Sequence, residues 1–129
     1  MGQEQNEQWH HLLHEGDAQD SQDAAKGVAP QHSLWFSGHF PGNPILPGIA
    51  ILAMVKEAIL CEEGKKGKKI KITGIQKVRF RQPVKPDDTL SISYSALPAK
   101  KNWAYAFKVS LAGQVMCVGT MLAVESINI

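Results

Sequence analysis

Residues 38–48 read GHFPGNPILPG, and residues 49–55 continue as IAILAMV. Three prolines and three glycines among the first eleven residues exclude a helix or a central strand, because proline lacks a backbone donor and glycine adopts conformations that other residues avoid. We therefore predict a shaped loop. The next residues favour a helix from about Gly48 to Glu62, with Pro47 at its start, where a missing N–H costs nothing. Its first half is apolar on almost every side, which is typical of a helix wrapped by a sheet.

The junction of this loop and helix places a histidine beside a helix N-terminus. The first backbone N–H groups of a helix have no intrahelical partner, so they can polarise a carbonyl oxygen. An imidazole at His39 can move a proton on the neighbouring carbon. The residues alone leave two interpretations open, which are a site that acts next to a thioester and a histidine that hydrogen-bonds its own loop.

Two motifs resemble one enzyme family. Residues 39–48 (HFPGNPILPG) and residues 74–88 (GIQKVRFRQPVKPDD) are similar to the FabA/FabZ-type β-hydroxyacyl-acyl-carrier-protein dehydratases, and the likeness runs in order from about Ala29 to Val124. The resemblance implies an α+β hot-dog fold, in which a curved antiparallel sheet wraps a long central helix. It also implies a homodimer, or a higher oligomer of dimers, with active sites at the subunit interface. The implied reaction removes water from a β-hydroxyacyl thioester to give the trans-2-enoyl thioester.

The same resemblance assigns roles to individual residues. It makes His39 the catalytic base, and the backbone N–H of Gly48 the group that holds the thioester carbonyl. We assign the acyl channel to Phe40, Ile51, Leu52 and Ala53. Arg79, Arg81 and Lys85 form either the carrier-binding surface or a solvated positive face. The substrate would arrive on the phosphopantetheine of an acyl carrier protein or on coenzyme A. No further cofactor and no metal are expected.

One position departs from the family pattern. The family's second catalytic residue is a carboxylate five positions after the Pro-Gly pair, where this chain has Ala53. A methyl group cannot exchange a proton. Glu57 lies one helical turn later on the same face of the predicted helix. Two interpretations remain open, in which Glu57 replaces the missing carboxylate or is an ordinary helix residue paired across the interface.

Composition bounds the remaining possibilities. At 129 residues, with 43% hydrophobic and 20% charged residues, the chain is expected to be globular, and a formal net charge of +2 gives no nucleic-acid footprint. We divide it into a polar, partly flexible N-terminal segment, residues 1–23, and a hot-dog domain, residues 24–129. The N-terminus has no apolar stretch of a signal peptide, and the longest apolar run, Ile49–Val55, is too short to span a bilayer. The cytoplasm is the expected compartment, and no membrane partner is expected.

The other elements are predicted from local patterns. The spacing of Trp9, Leu12 and Leu13 permits one or two helical turns, and three nearby histidines are either solvated side chains or a metal-binding helix face. Residues 24–36 should hold one or two short strands, and Trp35 or Phe36 either lines the acyl channel or fills the core. From Ile70 onward we predict a meander of four antiparallel strands, with an irregularity at Gly74 and a turn at residues 112–114. Both cysteines, at 61 and 117, are expected to be buried.

Three functions are compatible with these observations. The first is a β-hydroxyacyl-thioester dehydratase, a hydro-lyase of fatty-acid or related lipid or polyketide metabolism. The second is a catalytically impaired acyl-binding or partner subunit, in which another chain supplies the carboxylate that Ala53 lacks. The third is an acyl thioesterase on the same fold, although activating water for hydrolysis also requires a base such as a carboxylate.

Overall fold

A computed structural model describes residues 9–14, 23–36, 42, 44–97 and 102–126. Within these ranges, six antiparallel strands form one sheet and a single α-helix packs against it, which is the predicted α+β hot-dog architecture. The strands are β1 (His11–His14), β2 (Asp23–Val28), β3 (Ile70–Phe80), β4 (Leu90–Leu97), β5 (Trp103–Leu111) and β6 (Gln114–Glu125). The helix α1 spans Gly48–Lys65, so it begins where the sequence predicts and extends one turn further. No helix in the described ranges is long and apolar enough to cross a membrane.

The order of the strands corrects the predicted four-strand meander. The sheet runs β1-β2-β4-β5-β6-β3, so β3 pairs with β6 at the far edge and does not pair with β4. The connection after β3, residues 81–89, contains Pro83 and Pro86 and is too long for a tight hairpin. Its backbone instead meets the loop before the helix, where the N–H of Leu46 donates to the carbonyl of Val84 at 2.7 Å.

Two local predictions in the strands are confirmed. The register of β3 against β6 shifts between Ile72 and Gly74, as the glycine indicated. The turn between β5 and β6 is a two-residue turn in which Ala112 has φ 49° and Gly113 has φ 84°, the type I′ geometry that suits the twist of a hairpin. A second shift in β3, between Gln76 and Arg79, was not predicted, and Lys77 there has φ 58°.

The core lies between one face of α1 and the sheet. The helix contributes completely buried side chains, and β4, β5 and β6 contribute the apolar side chains opposite them. The helix members include Ala50, Met54, Val55, Ala58 and Ile59, and the sheet members include Leu90, Ile92, Val109, Cys117 and Met121. Each such aliphatic side chain stabilises the fold by about 1.5–3 kcal/mol when it leaves water, so this face fixes the helix in place.

A strand replaces the helical turns expected near the N-terminus. Residues His11–His14 pair with β2, with His11 opposite Val28. The apolar spacing of Trp9, Leu12 and Leu13 was too short to separate helix from strand, and the open edge of β2 supplies backbone partners. Part of the N-terminal segment 1–23 therefore belongs to the sheet, while its division from the domain at residue 24 stays a prediction.

A buried carboxylate ties the C-terminal end of α1 to the sheet. Glu63 is 2% exposed and accepts hydrogen bonds from the hydroxyls of Tyr94 (2.8 Å) and Tyr105 (3.0 Å) and from Nζ of Lys66 (3.0 Å). Burial alone would raise the pKa of Glu63, but these hydrogen bonds outweigh burial and lower it below its ordinary value. Burial and this carboxylate raise the pKa of Tyr105 to about 12, so the tyrosine is a neutral donor to a charged acceptor.

Candidate active site

A groove of about 370 Å³ lies at the N-terminal end of α1. Its lining includes Gly48 and Ile51 from the helix, Phe80 and Arg81 from the end of β3, and Val84 from the following connection. Pro47 is the N-cap, with extended backbone, and makes no side-chain cap hydrogen bond. The positive end of the helix dipole thus faces a partly apolar groove, which suits a polarised carbonyl on an acyl chain.

Phe80 explains why the helix begins with glycine. A Cβ atom on residue 48 would lie 2.6 Å from Cζ of Phe80, closer than real Cβ contacts come. Glycine is required at residue 48 because Phe80 approaches closely. Its φ is not the reason, since Gly48 has helical backbone. The Phe80 side chain, 49% exposed, lies beside the residue whose N–H the family resemblance assigns to the thioester carbonyl.

A second groove, of about 540 Å³, runs along the face of α1 that points away from the sheet. It is lined by Ala53, Lys56, Glu57, Leu60 and Cys61, which recur at helical spacing. Ala53 and Glu57 therefore share one groove, as the i, i+4 spacing predicts. The expectation that both cysteines are buried is wrong for Cys61, which is half-buried here; Cys117 is buried, and burial raises the pKa of its thiol to about 11.

Glu57 is held by a histidine from the N-terminal segment. Nε2 of His10 lies 2.9 Å from Oε2 of Glu57, and the indole N–H of Trp35 donates to Nδ1 of His10 at 3.1 Å. An indole only donates, so Nδ1 must be the acceptor and Nε2 must carry the proton that is donated to the carboxylate. His10 is 5% exposed, so the imidazole in the middle of this arrangement is nearly excluded from water.

Ser33 determines where Trp35 lies. The Oγ of Ser33 donates to the carbonyl of Trp9, and the N–H of Trp35 donates to Oγ of Ser33 at 3.1 Å. The rings of Trp9 and Trp35 meet edge to face with centroids 4.7 Å apart. Of the two aromatic residues considered for the acyl channel, Phe36 is buried in the core, whereas Trp35 is half-buried and contacts His10.

The three N-terminal histidines do not form a helix face. His10 precedes β1 and is buried, whereas His11 lies within the strand and is exposed. Among the side chains that the structure describes, no group of three or more histidine, cysteine or carboxylate residues could hold a metal ion.

The other predicted site residues are divided between the two grooves. Gly48 and Ile51 line the first, and Ala53 and Glu57 line the second. Gly48 and Glu57 are nine residues apart, which is about 13 Å of helix rise, and they line different grooves. Leu52 is half-buried and packs against the core. His39 and Phe40 lie outside the described residues.

The three predicted carrier-binding residues are all exposed. Arg79 lies in β3, and Arg81 follows the strand with its N–H donating to the carbonyl of Met116 at 2.8 Å. Of the three, Arg81 lines the groove at Gly48. Lys85 lies in the connection to β4, where its N–H donates to Oδ2 of Asp88 at 2.9 Å.

The chain is similar in sequence to known dehydratases. A protein-family model described as ApeI-like, ApeI dehydratase, matches residues 15–120. The 3-hydroxyacyl-acyl-carrier-protein dehydratase FabZ of Caldicellulosiruptor bescii is 39% identical over 105 residues, and the match covers 76% of this chain and 75% of that protein. FabZ of Chlamydia trachomatis serovar L2 is 40% identical over 95 residues, covering 67% of this chain and 61% of that protein.

Solved structures share the fold at lower identity. The dehydratase heterocomplex ApeI:P from Xenorhabdus doucetiae superposes with a TM-score of 0.60 at 23% identity, covering 83% of this chain and 92% of that one. A hypothetical thioesterase with coenzyme A from Streptococcus pneumoniae gives a TM-score of 0.63 at 11% identity, covering 91% and 85%. At these identities the likeness establishes the hot-dog fold alone. From the matched family model and the FabZ relatives, we conclude that the chain belongs to the ApeI-like, FabZ-type family of hot-dog dehydratases.

Proposed function

We propose that this protein is a β-hydroxyacyl-thioester dehydratase in which Glu57 takes the place of the carboxylate that Ala53 lacks. Family membership indicates the chemistry. The observation that carries the proposal is the shared groove, because it puts the Glu57 carboxylate beside the position where relatives have theirs. Glu57 is half-buried and hydrogen-bonded, so its carboxylate is oriented at the edge of this groove.

The reaction needs a base, an acid and a donor to the carbonyl. His39 takes the proton from the carbon next to the thioester carbonyl, and the N–H of Gly48 binds that carbonyl oxygen as negative charge develops. Protonated Glu57 gives its proton to the departing hydroxyl, so the C–O bond breaks and water leaves. The trans-2-enoyl thioester remains. Solvent then carries the proton from His39 to Glu57, which restores the acid.

The separation of the two grooves implies a dimer. Because about 13 Å of helix rise separates Gly48 from Glu57, the first groove of one chain would combine with the second groove of another. The open face of α1 supports association of two copies, as does the outer edge of β3, which pairs with no other strand among the described residues. A homodimer with interfacial sites meets this requirement.

The substrate is proposed to arrive on an acyl carrier protein or on coenzyme A. Arg81 lies at the groove that holds Gly48, and exposed Arg79 and Lys85 extend the positive surface beside it. Guanidinium and ammonium groups suit the phosphate of phosphopantetheine and the acidic surface of a carrier.

Turnover of purified protein tests this proposal. Crotonyl and 3-hydroxybutyryl thioesters of carrier protein, coenzyme A and N-acetylcysteamine would be followed by the ultraviolet absorbance of the enoyl group, with free thiol measured in parallel. We expect interconversion of the two thioesters without thiol release, and its loss in His39→Ala. His32→Ala, an exposed histidine outside both grooves, is the matched control.

Other outcomes identify the alternatives. Release of free thiol would indicate a thioesterase, the function named for the Streptococcus pneumoniae structure. Binding of an acyl-carrier protein without turnover would indicate an acyl-binding or partner subunit. Activity that appears only with a second hot-dog subunit would place the carboxylate on that subunit and would resemble the heterocomplex described for Xenorhabdus doucetiae.

A further inference from the structure

We infer that His10 is a positioning residue for the dehydration, because it holds the Glu57 carboxylate in its working orientation. This inference rests on the proposed role of Glu57. It assigns a function to a residue of the N-terminal segment, which lies outside the loop and helix motifs.

The geometry of His10 supports a directed contact. Its Nε2 meets a single carboxylate oxygen, Oε2 of Glu57, at 2.9 Å, although the two residues are 47 positions apart. The histidine side chain is 6% exposed and the glutamate side chain is 36% exposed. The buried end of the contact is therefore the imidazole, and the more exposed end is the carboxylate that lines the groove.

Trp35 sets the direction of the hydrogen bond. Its indole N–H donates to Nδ1 of His10 at 3.1 Å, which leaves Nε2 as the protonated nitrogen. The indole therefore donates to the imidazole, and the imidazole donates to the carboxylate of Glu57, where the chain of hydrogen bonds ends. With Nδ1 protonated, two N–H groups would face each other, so Trp35 disfavours that tautomer.

The surrounding structure keeps the imidazole from turning away. His10 directly precedes β1, whose pairing with β2 fixes the local backbone. Ser33 bridges the two segments, since it donates to the carbonyl of Trp9 and accepts from the N–H of Trp35. A donor held in this way restricts the rotamers of a flexible glutamate, which is how preorganised sites orient a proton donor.

The loss of this donor should reduce turnover more than binding. Glu57 acts on the departing hydroxyl in the transition state, so a misplaced carboxylate lowers kcat and leaves KM nearly unchanged. The loss of one hydrogen bond that orients the acid corresponds to about tenfold in rate. We expect His10→Leu to lower kcat about tenfold, with KM within about twofold of the wild-type value.

The experiment compares four variants with the wild type. His10→Leu removes the donor, His10→Gln keeps an N–H at similar reach, Glu57→Gln removes the acid, and His10→Leu/Glu57→Gln combines both. His11→Leu, on the neighbouring exposed residue of β1, is the control. Each protein is assayed with the 3-hydroxybutyryl thioester of N-acetylcysteamine, and its folding is checked by circular dichroism. Long-range ¹H–¹⁵N NMR of the wild type reports the tautomer of His10.

Support would be a loss of kcat in His10→Leu, substantial recovery in His10→Gln, and no additional loss in the double variant compared with Glu57→Gln. Independent losses that multiply in the double variant would overturn the inference, since His10 would then act separately from Glu57. Wild-type kcat in a folded His10→Leu protein would also overturn it. If His10→Leu does not fold, the decision falls to the NMR spectrum, where a proton on Nδ1 contradicts the chain. An inactive wild type would refute the proposed function itself, whereas an active wild type that is indifferent to His10 refutes this inference alone.

Discussion

Replacing Glu63 with leucine tests how the helix end is anchored. The substitution removes the acceptor of Tyr105, which is 1% exposed, and of Tyr94, which is half-buried. A buried hydroxyl without a partner costs about 1–3 kcal/mol, and Tyr94 should cost less because water can reach it. We expect Glu63→Leu to lower the free energy of unfolding by about 2–3 kcal/mol. For a domain of this size that lowers Tm by about 8 °C.

Urea unfolding followed by circular dichroism measures the effect at a fixed protein concentration. Adding Tyr105→Phe to Glu63→Leu should recover about 1 kcal/mol, because it removes the hydroxyl that the first change left unpaired. Glu125→Leu, at an exposed position of β6, is the control and should change stability by less than about 0.5 kcal/mol. Unchanged stability in Glu63→Leu, or additive losses in the double variant, would show that Glu63 does not anchor the helix through these tyrosines.

Three further predictions concern pH, the first groove and the carrier. The pKa of Glu63 is lowered in the folded protein, so its stabilising contribution is complete above the ordinary glutamate pKa and is lost as the pH falls through the pKa of the folded state. The urea midpoints at about pH 7 and about pH 3 should therefore differ less in Glu63→Leu than in the wild type. Gly48→Ala should lower turnover about tenfold, because the added methyl displaces the Phe80 ring beside the groove. It should destabilise the fold by less than about 1 kcal/mol, because the ring is exposed and can move. Phe80→Ala should restore turnover in the Gly48→Ala background. Arg81→Glu should raise KM about tenfold for the carrier-linked substrate and leave KM for the N-acetylcysteamine thioester unchanged, which steady-state kinetics with both substrates would check.

Local signals in the sequence predicted much of the fold. The start of α1 follows from Pro47 and Gly48, the irregularity in β3 from Gly74, and the location of the turn between β5 and β6 from Gly113. Each of these features depends on the backbone preferences of neighbouring residues. The positions of β1 and β3 in the sheet were not predicted. Both strands lie at sheet edges, where pairing depends on partners far along the chain.

The candidate site was predictable only in part. The helical spacing of Ala53 and Glu57 placed them on one face, and the structure shows them in one groove. The chain from Trp35 through His10 to Glu57 joins residues 25 and 47 positions apart, so no local pattern indicates it. Glu63 was missed for the same reason, since its tyrosine partners are 31 and 42 positions away. In both cases a buried polar group gained its partners through folding.

A rescue experiment tests whether Glu57 supplies the carboxylate that position 53 lacks. The measurement is kcat for dehydration of a 3-hydroxybutyryl thioester by Glu57→Gln and by Ala53→Glu/Glu57→Gln. We expect Glu57→Gln to lower kcat about a hundredfold or more, and a glutamate at position 53 to restore most of it within the same groove. Wild-type kcat in Glu57→Gln would show that Glu57 is not the acid and that the carboxylate comes from elsewhere.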